Sequence, residues 1–534
     1  MEYSSVQLND LSDKILIYIL KNLSNIDVLY SLIGVNKRLN KIVCDSFFTN
    51  RLTLLKSSLN YCVLPLSDRI LDRFCLQILP KIHDKIKWLD LESFSMERIL
   101  LATNYPNLYG LGLYNIQEEK AIYLFNNESL FTCMFKNQVL SLVISINANG
   151  SLNSTENVYT RIFMRIITTF IYLQFLNFCP PSAWYQELSF GISSPNVSSS
   201  TLLELHVCLN HFTDCLYLLD GCFNELRILH VNINFISSSN LTIDNQKKLP
   251  NLRSFSLCCN KDTYVYDELI VPLLHRMSHL EELDLSLIIS GKKTFVDGND
   301  LKTNIINNMP FLNKFTFNIR SFNHFYNQIN IPSNEDIQYT FNGYKDNQII
   351  SCVDYFPKRN SSQCHIYSYP YKLKHYDNIT NNFPGGIFKC VREVSLFDER
   401  SFEHEFFLRI AESFPLMKKL TLINMKPQIN KFYEQSKKND NQRLSMGIKY
   451  SHLMDLNLIK IDEDYLEQFL FDTKMSLPNG IFLQTDYQLL KNVTHNFTRN
   501  ETRNNCAKLK VIFFINKSEF PEHLKDYFPC AIIL

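Results

Sequence analysis

The chain has 534 residues, 46% of them hydrophobic, and a formal net charge of +1. That is ample apolar material for an extended folded core, which excludes a disordered chain, and too little charge for a general pull toward nucleic acid or acidic membrane. Thirteen glycines leave little room for phosphate-cradling loops, and fifteen cysteines without paired spacing fit reduced thiols packed as small apolar groups.

Met1 to Asp10 is polar and acidic, with no basic region and no apolar signal core. The most apolar stretch, Ile166 to Phe178, falls short of the roughly 20 residues a membrane span needs. Cys530 is fifth from the end, one place too far for a prenylation box. The expectation is a cytoplasmic or nuclear protein that binds neither membrane nor nucleic acid.

Residues 1–55 predict a small helical module. Ser12 and Asp13 suit a helix start, and Ile15, Leu16, Ile19, Leu20 and Leu23 form its apolar stripe. Asn25 can cap a second helix carrying Val28, Leu29, Leu32 and Ile33. A third, from about Asn36, points Leu39, Ile42 and Val43 inward and Lys37, Arg38 and Lys41 outward. Three helices this short sit at the lower limit of independent stability and usually need a partner or the adjoining domain to complete their core.

The string Leu11-Ser12-Asp13-Lys14-Ile15-Leu16, with Ile19-Leu20, Asp27-Val28-Leu29 and Val35-Asn36-Lys37-Arg38-Leu39, resembles an F-box. It departs from that family's opening Leu-Pro-x-Glu by Ser12 for proline and Lys14 for glutamate. Serine also starts helices well, whereas a lysine in the first turn opposes the helix dipole by a few tenths of a kcal/mol. The resemblance implies docking to a Skp-type adaptor on a cullin scaffold. The contacts it implies are Leu11, Asp13, Ile15, Leu16, Ile19, Leu20, Leu29, Val35, Lys37 and Leu39.

After a helical connector at 56–85, one spacing recurs: apolar, two residues, apolar, one residue, apolar, two residues, then often asparagine. Val139/Leu142/Ile144/Asn147, Leu202/Leu205/Val207/Asn210, Leu226/Leu229/Val231/Asn234 and Leu252/Phe255/Leu257/Asn260 fit it fully. Ile86/Leu89/Leu91, Leu108/Leu111/Leu113, Leu280/Leu283/Leu285, Val391/Val394/Leu396, Met417/Leu420/Leu422 and Leu453/Leu456/Leu458 keep the apolar positions. The last two apolar residues share one face of a strand, and the asparagine is expected to satisfy backbone groups where the chain turns away. Returning helices are predicted at Met96 to Asn104, Asp214 to Phe223, Val265 to Met277 and Glu403 to Ser413. A strand with one helix cannot bury its own core, but stacked units can.

This pattern resembles the leucine-rich-repeat superfamily. The implied fold is α/β: an irregular solenoid with a parallel sheet over 86–325 and 391–534, preceded by the all-α three-helix module. Between them, at 326–390, alternation at Ile337 to Phe341, Ile349 to Tyr355 and Cys364 to Tyr369 suggests an irregular or antiparallel β insertion, the alternative being two degenerate repeats. Lys426 to Arg443 is expected to be a loop.

Chemistry-bearing motifs are scarce. The sequence holds no P-loop, GxSxG, HExxH, CxxC or dinucleotide fingerprint. His206, Cys208, His211 and Cys215 match no standard zinc spacing, and His206 and Cys208 are accounted for as alternate residues of one strand. No cofactor is expected. The reading is a non-catalytic substrate adaptor of a ubiquitin ligase, or alternatively a repeat scaffold without that link. A protein substrate would meet the outward strand positions, represented by Glu204, His206, His230, Asn232, Ser256, Glu282 and Asp284.

Overall fold

The computed structural model describes residues 11–57, 63–147, 158–180, 186–191, 197–237, 248–324, 332–344, 348–429, 448–515 and 524–534. The chain is mixed α/β, with large parallel and mixed sheets and no closed barrel among the described residues. It divides into two compact units, one formed by 1–288 with 302–316 and the other by 289–301 with 317–534. Most of the predicted loop at 426–443 lies outside the described residues.

The first unit opens with helices α1 (Asp13–Leu20), α2 (Asn25–Leu32), α3 (Lys37–Val43) and α4 (Ser46–Thr49). Ser24, not Asn25, caps α2 by accepting from the Asp27 amide, while the Asn25 side chain reaches the carbonyls of Phe47 and Arg51. Asn36, near which the third helix is expected to start, caps α3 by accepting from the Leu39 amide at 2.7 Å.

The main path of this unit's large sheet runs through β1 (Arg51–Leu54), β2 (Trp88–Glu92), β3 (Gly110–Gln117), β4 (Ser141–Asn147) and β5 (Phe175–Asn177). They continue with β6 (Glu204–His211), β7 (Ile228–Phe235), β8 (Ser254–Thr263) and β9 (Glu282–Ser290), and lie side by side in chain order. The sheet begins at Arg51, well before residue 86: the alternating Leu52 and Leu54 form a short edge strand that pairs in parallel with β2.

The repeat spacing becomes register. Leu89, Leu111, Leu142, Leu176, Leu205, Leu229 and Phe255 are consecutive Cα partners across seven parallel strands, and every one is buried. Each such side chain contributes about 1.5–3 kcal/mol of burial, so a one-residue slip would expose the whole row and is strongly opposed. Three of the asparagines do not end their strands: Asn210, Asn234 and Asn260 lie within β6 to β8, which run on past them, whereas Asn147 is the last residue of β4. Asn424 in the second unit performs the expected task, donating to the Arg400 carbonyl and accepting from the Lys426 amide.

At the start of the sheet, Gly110 and Gly112 face Trp88 and Asp90 across the β2–β3 pairing, and a Cβ on either glycine would collide with those side chains. The indole donates to Asp90 at 2.7 Å, and Arg51 covers its ring while pairing with the same carboxylate at 3.0 Å.

β10 (Lys314–His324), which belongs to the second unit from Phe317 onward, and β11 (Gln348–Phe356) each pair antiparallel with β12 (Ser361–Tyr369), which lies in the middle. The expected hairpin is therefore present, closed by Pro357–Arg359 and Asn360 in the left-handed region. Ile337 to Phe341 is not a strand: Asn334–Tyr339 is a helix with a Ser333/Asp336 capping box. The second parallel array begins at His375. It runs β13 (His375–Ile379), β14 (Glu393–Phe397), β15 (Lys419–Asn424), β16 (Asp455–Ile461), β17 (Ile481–Thr485), β18 (Leu509–Phe514) and β19 (Ile532–Ile533). Val394, Leu420, Leu456, Leu483 and Ile512 form its in-register buried row.

A buried polar network joins the hairpin to this array. Asp354, 2% exposed, accepts from Gln363 at 2.8 Å, from Asn382 at 2.9 Å and from the Thr380 hydroxyl. Nearby, His365 is buried against Tyr367, Tyr371 and Tyr376, with Nε2 2.6 Å from Asn318 Oδ1.

Candidate functional site

Two groups of residues carry the functional expectations, and the structure treats them differently. In the helical module, Leu16, Leu20, Leu29 and Leu39 are interior, at 0–4% exposure, and reach no surface. In an eight-residue helix, positions four apart take one face, so Leu16 and Leu20 point inward while Ile15, Tyr18, Ile19 and Leu23 stay exposed. Val35 and Lys37 are exposed, and Leu11 is half-buried. Asp13 pairs with Arg38 at 2.7 Å, and Arg38 also holds the Leu11 carbonyl, so α3 braces the start of α1. The accessible part of the predicted adaptor set is therefore Leu11, Asp13, Ile15, Ile19, Val35 and Lys37. The four leucines support it from behind.

The second group lies on β6 to β9, at strand positions between the buried ones. Glu204, His206, His230, Asn232, Ser256 and Glu282 are half-buried and Asp284 is exposed. Register sets His206 beside His230 and His230 beside Ser256, with Asn232 between Cys208 and Cys258. His206 Nε2 lies 2.7 Å from Glu204 Oε1, and the two imidazole rings stack with centroids 4.2 Å apart. Phe175 of β5 flanks His206 at 5.5 Å. On the far side, Lys314 meets Glu282 at 2.9 Å and Thr316 donates to Asp284 at 2.8 Å.

Electrostatics sort these groups. Burial, and then the neighbouring His206, lower the pKa of His230, which favours its neutral form. Burial pushes the Cys258 thiol up to about 11, so it supplies no thiolate. Cys208 departs from the reduced-thiol expectation: it is bonded to Cys179, with their Cα atoms 5.5 Å apart. The β5–β6 register explains the pairing, since Asn177 partners His206 and two residues further on lie the two cysteines.

The four residues weighed for zinc do not form a site. Cys208 is bonded, Cys215 is fully buried with its thiol raised to about 12, and the His211 amide donates to the helix-capping Asp214. The convergence of Glu204, His206 and His230 was not singled out by sequence reasoning. A signal existed, because the two histidines occupy the same offset in consecutive repeats.

No protein-family model matches the chain, and no curated protein matches it significantly. No described helix is long and apolar enough to cross a membrane.

Proposed function

We propose that this chain is a substrate-recognition adaptor of a cullin–RING ubiquitin ligase. In this reading residues 11–49 form an F-box-like docking module for a Skp-type adaptor, and the repeats form a leucine-rich-repeat array that holds a protein substrate. The observation that carries the reading is the exposed apolar strip of Ile15 (48%), Tyr18 (75%), Ile19 (40%) and Leu23 (54%) on a short module whose own core is already filled. Such a strip is costly in water and marks a contact surface. The outward row on β6 to β9 supports the substrate role, since it is mixed in charge and interrupted by few large side chains. The working compartment in this reading is cytoplasmic or nuclear.

A repeat scaffold without a ligase link is favoured by one observation: α2 and α4 pack directly on β1, as an end cap for the sheet would. Co-purification with a Skp-type adaptor separates the two. The ligase reading expects capture by the full chain and loss of capture in an I15D/I19D variant that keeps its circular dichroism. A full chain that is not captured sinks it in favour of the scaffold. L16D/L20D is the contrasting variant: it is expected to unfold the module itself, because both leucines are interior.

A further inference from the structure

We propose that Glu204, His206 and His230 form a site for a divalent transition metal of the zinc class, with three protein ligands and an open coordination position. One ligating atom from each residue lies within 4.8 Å of the other two. The donors come from rigid, adjacent strands whose register places the histidines side by side, so the backbone holds the spacing without help from a loop.

An independent observation comes from His230. It is half-buried, yet its imidazole has no hydrogen-bonded partner among the described residues. Neither nitrogen is sealed from solvent, so both are open to a ligand from outside.

Binding requires the two rings, now stacked with 29° between their planes, to unstack so that both in-plane lone pairs aim at one point. Zinc–nitrogen and zinc–oxygen bonds of about 2.0–2.1 Å at the tetrahedral angle put ligand atoms about 3.3 Å apart. The Glu204–His206 contact, at 2.7 Å, must open by about 0.6 Å, and His230 must turn its ring about Cβ–Cγ. The metal takes the place of the proton held between Glu204 Oε1 and His206 Nε2, and that proton moves to Nδ1 or to solvent. The His206 and Glu204 side chains are 25% and 29% exposed, which leaves access for water or for a donor side chain of a bound protein. Glu282 and Asp284 add negative potential nearby, partly offset by Lys314. Two imidazoles and a carboxylate suit zinc, and copper(II) binds such donors more tightly still.

The same three residues could instead be a carboxylate–imidazole pair with a second ring stacked on it, and the experiment decides between them. The full chain is stripped with chelator and titrated with zinc chloride by calorimetry, then with cobalt(II) chloride by absorption. The site predicts one equivalent bound, a cobalt spectrum of nitrogen and oxygen ligation, and affinity weakened about 100-fold or lost in H230Q and in E204Q. Circular dichroism should be unchanged in both variants. The proposal is overturned by no binding, by a thiolate-to-cobalt charge-transfer band, or by equal affinity in wild type and both variants. This inference does not depend on the ubiquitin-ligase reading.

Discussion

The Asp354 network of the second unit and the His206/His230 row of the first use similar polar groups to opposite ends. Asp354 is buried and every donor around it is matched: Gln363, Thr380 and Asn382 all converge on its two oxygens. His230 is half-buried and unmatched, beside a Glu204–His206 pair that retains access to solvent. A saturated network offers nothing to a ligand and much to the fold, since removing one member strands the others. An unsaturated row offers the fold little and leaves valences for something else. Satisfaction, more than burial or charge, separates the structural cluster from the candidate site.

Substitutions can break or sharpen that contrast. The largest effect is expected from D354A, which strands the buried Thr380 hydroxyl and takes one of two acceptors from Gln363 and from Asn382, and should destabilise the second unit by about 1–3 kcal/mol, read as a urea midpoint shift. H365Q tests the same region through pH. Burial, with Arg320 adding to it, holds His365 well below its ordinary pKa of 6.5, so the unfolded chain binds the proton first. Stability is therefore full above the unfolded pKa and falls as the solution is acidified below it, by up to about 1.4 kcal/mol per pH unit. Urea midpoints at descending pH should show this acid-side loss in wild type and lack it in H365Q.

The row on β6 and β7 should respond far less. H206Q or H230Q in metal-free protein is expected to change stability by less than about 0.5 kcal/mol, and a loss comparable to that of D354A would make the row a structural network as well. The smallest effect belongs to K314A. Its pair with Glu282 is about half exposed on each side, and such pairs contribute about 0–1 kcal/mol, declining with added salt.

How much of this was legible follows from what each signal depends on. The buried rows were readable because a fixed spacing between Leu205 and Val207, repeated at Leu229 and Val231, forces the register later observed. The antiparallel hairpin was readable from alternation alone. Ile337 and Phe341 misled because they are four apart: alternation through Tyr339 suggests a strand, while the same pair lies on one face of a helical turn. Tyr339 is 74% exposed and the other two are buried, and Ser333 with Asp336 had already signed the helix start. The edge strand at Arg51–Leu54 was hidden by its length, which is too short for periodicity to register. Sequence spacing also marked Leu16 and Leu20 as apolar without saying whether they faced the module's interior or a partner. The candidate site required the product of two facts, register and side-chain reach, and only the first is written in the spacing.

Gly110 and Gly112 mould the surface that Trp88 and Asp90 occupy on the neighbouring strand. Mould and cast are inherited separately, one residue at a time. A side chain gained at either glycine evicts the indole or the carboxylate, and Arg51, which leans on both, loses its seat with them. The strands can therefore drift only in concert: among descendants of this chain, a bulky residue at 110 should travel with a small one at 88.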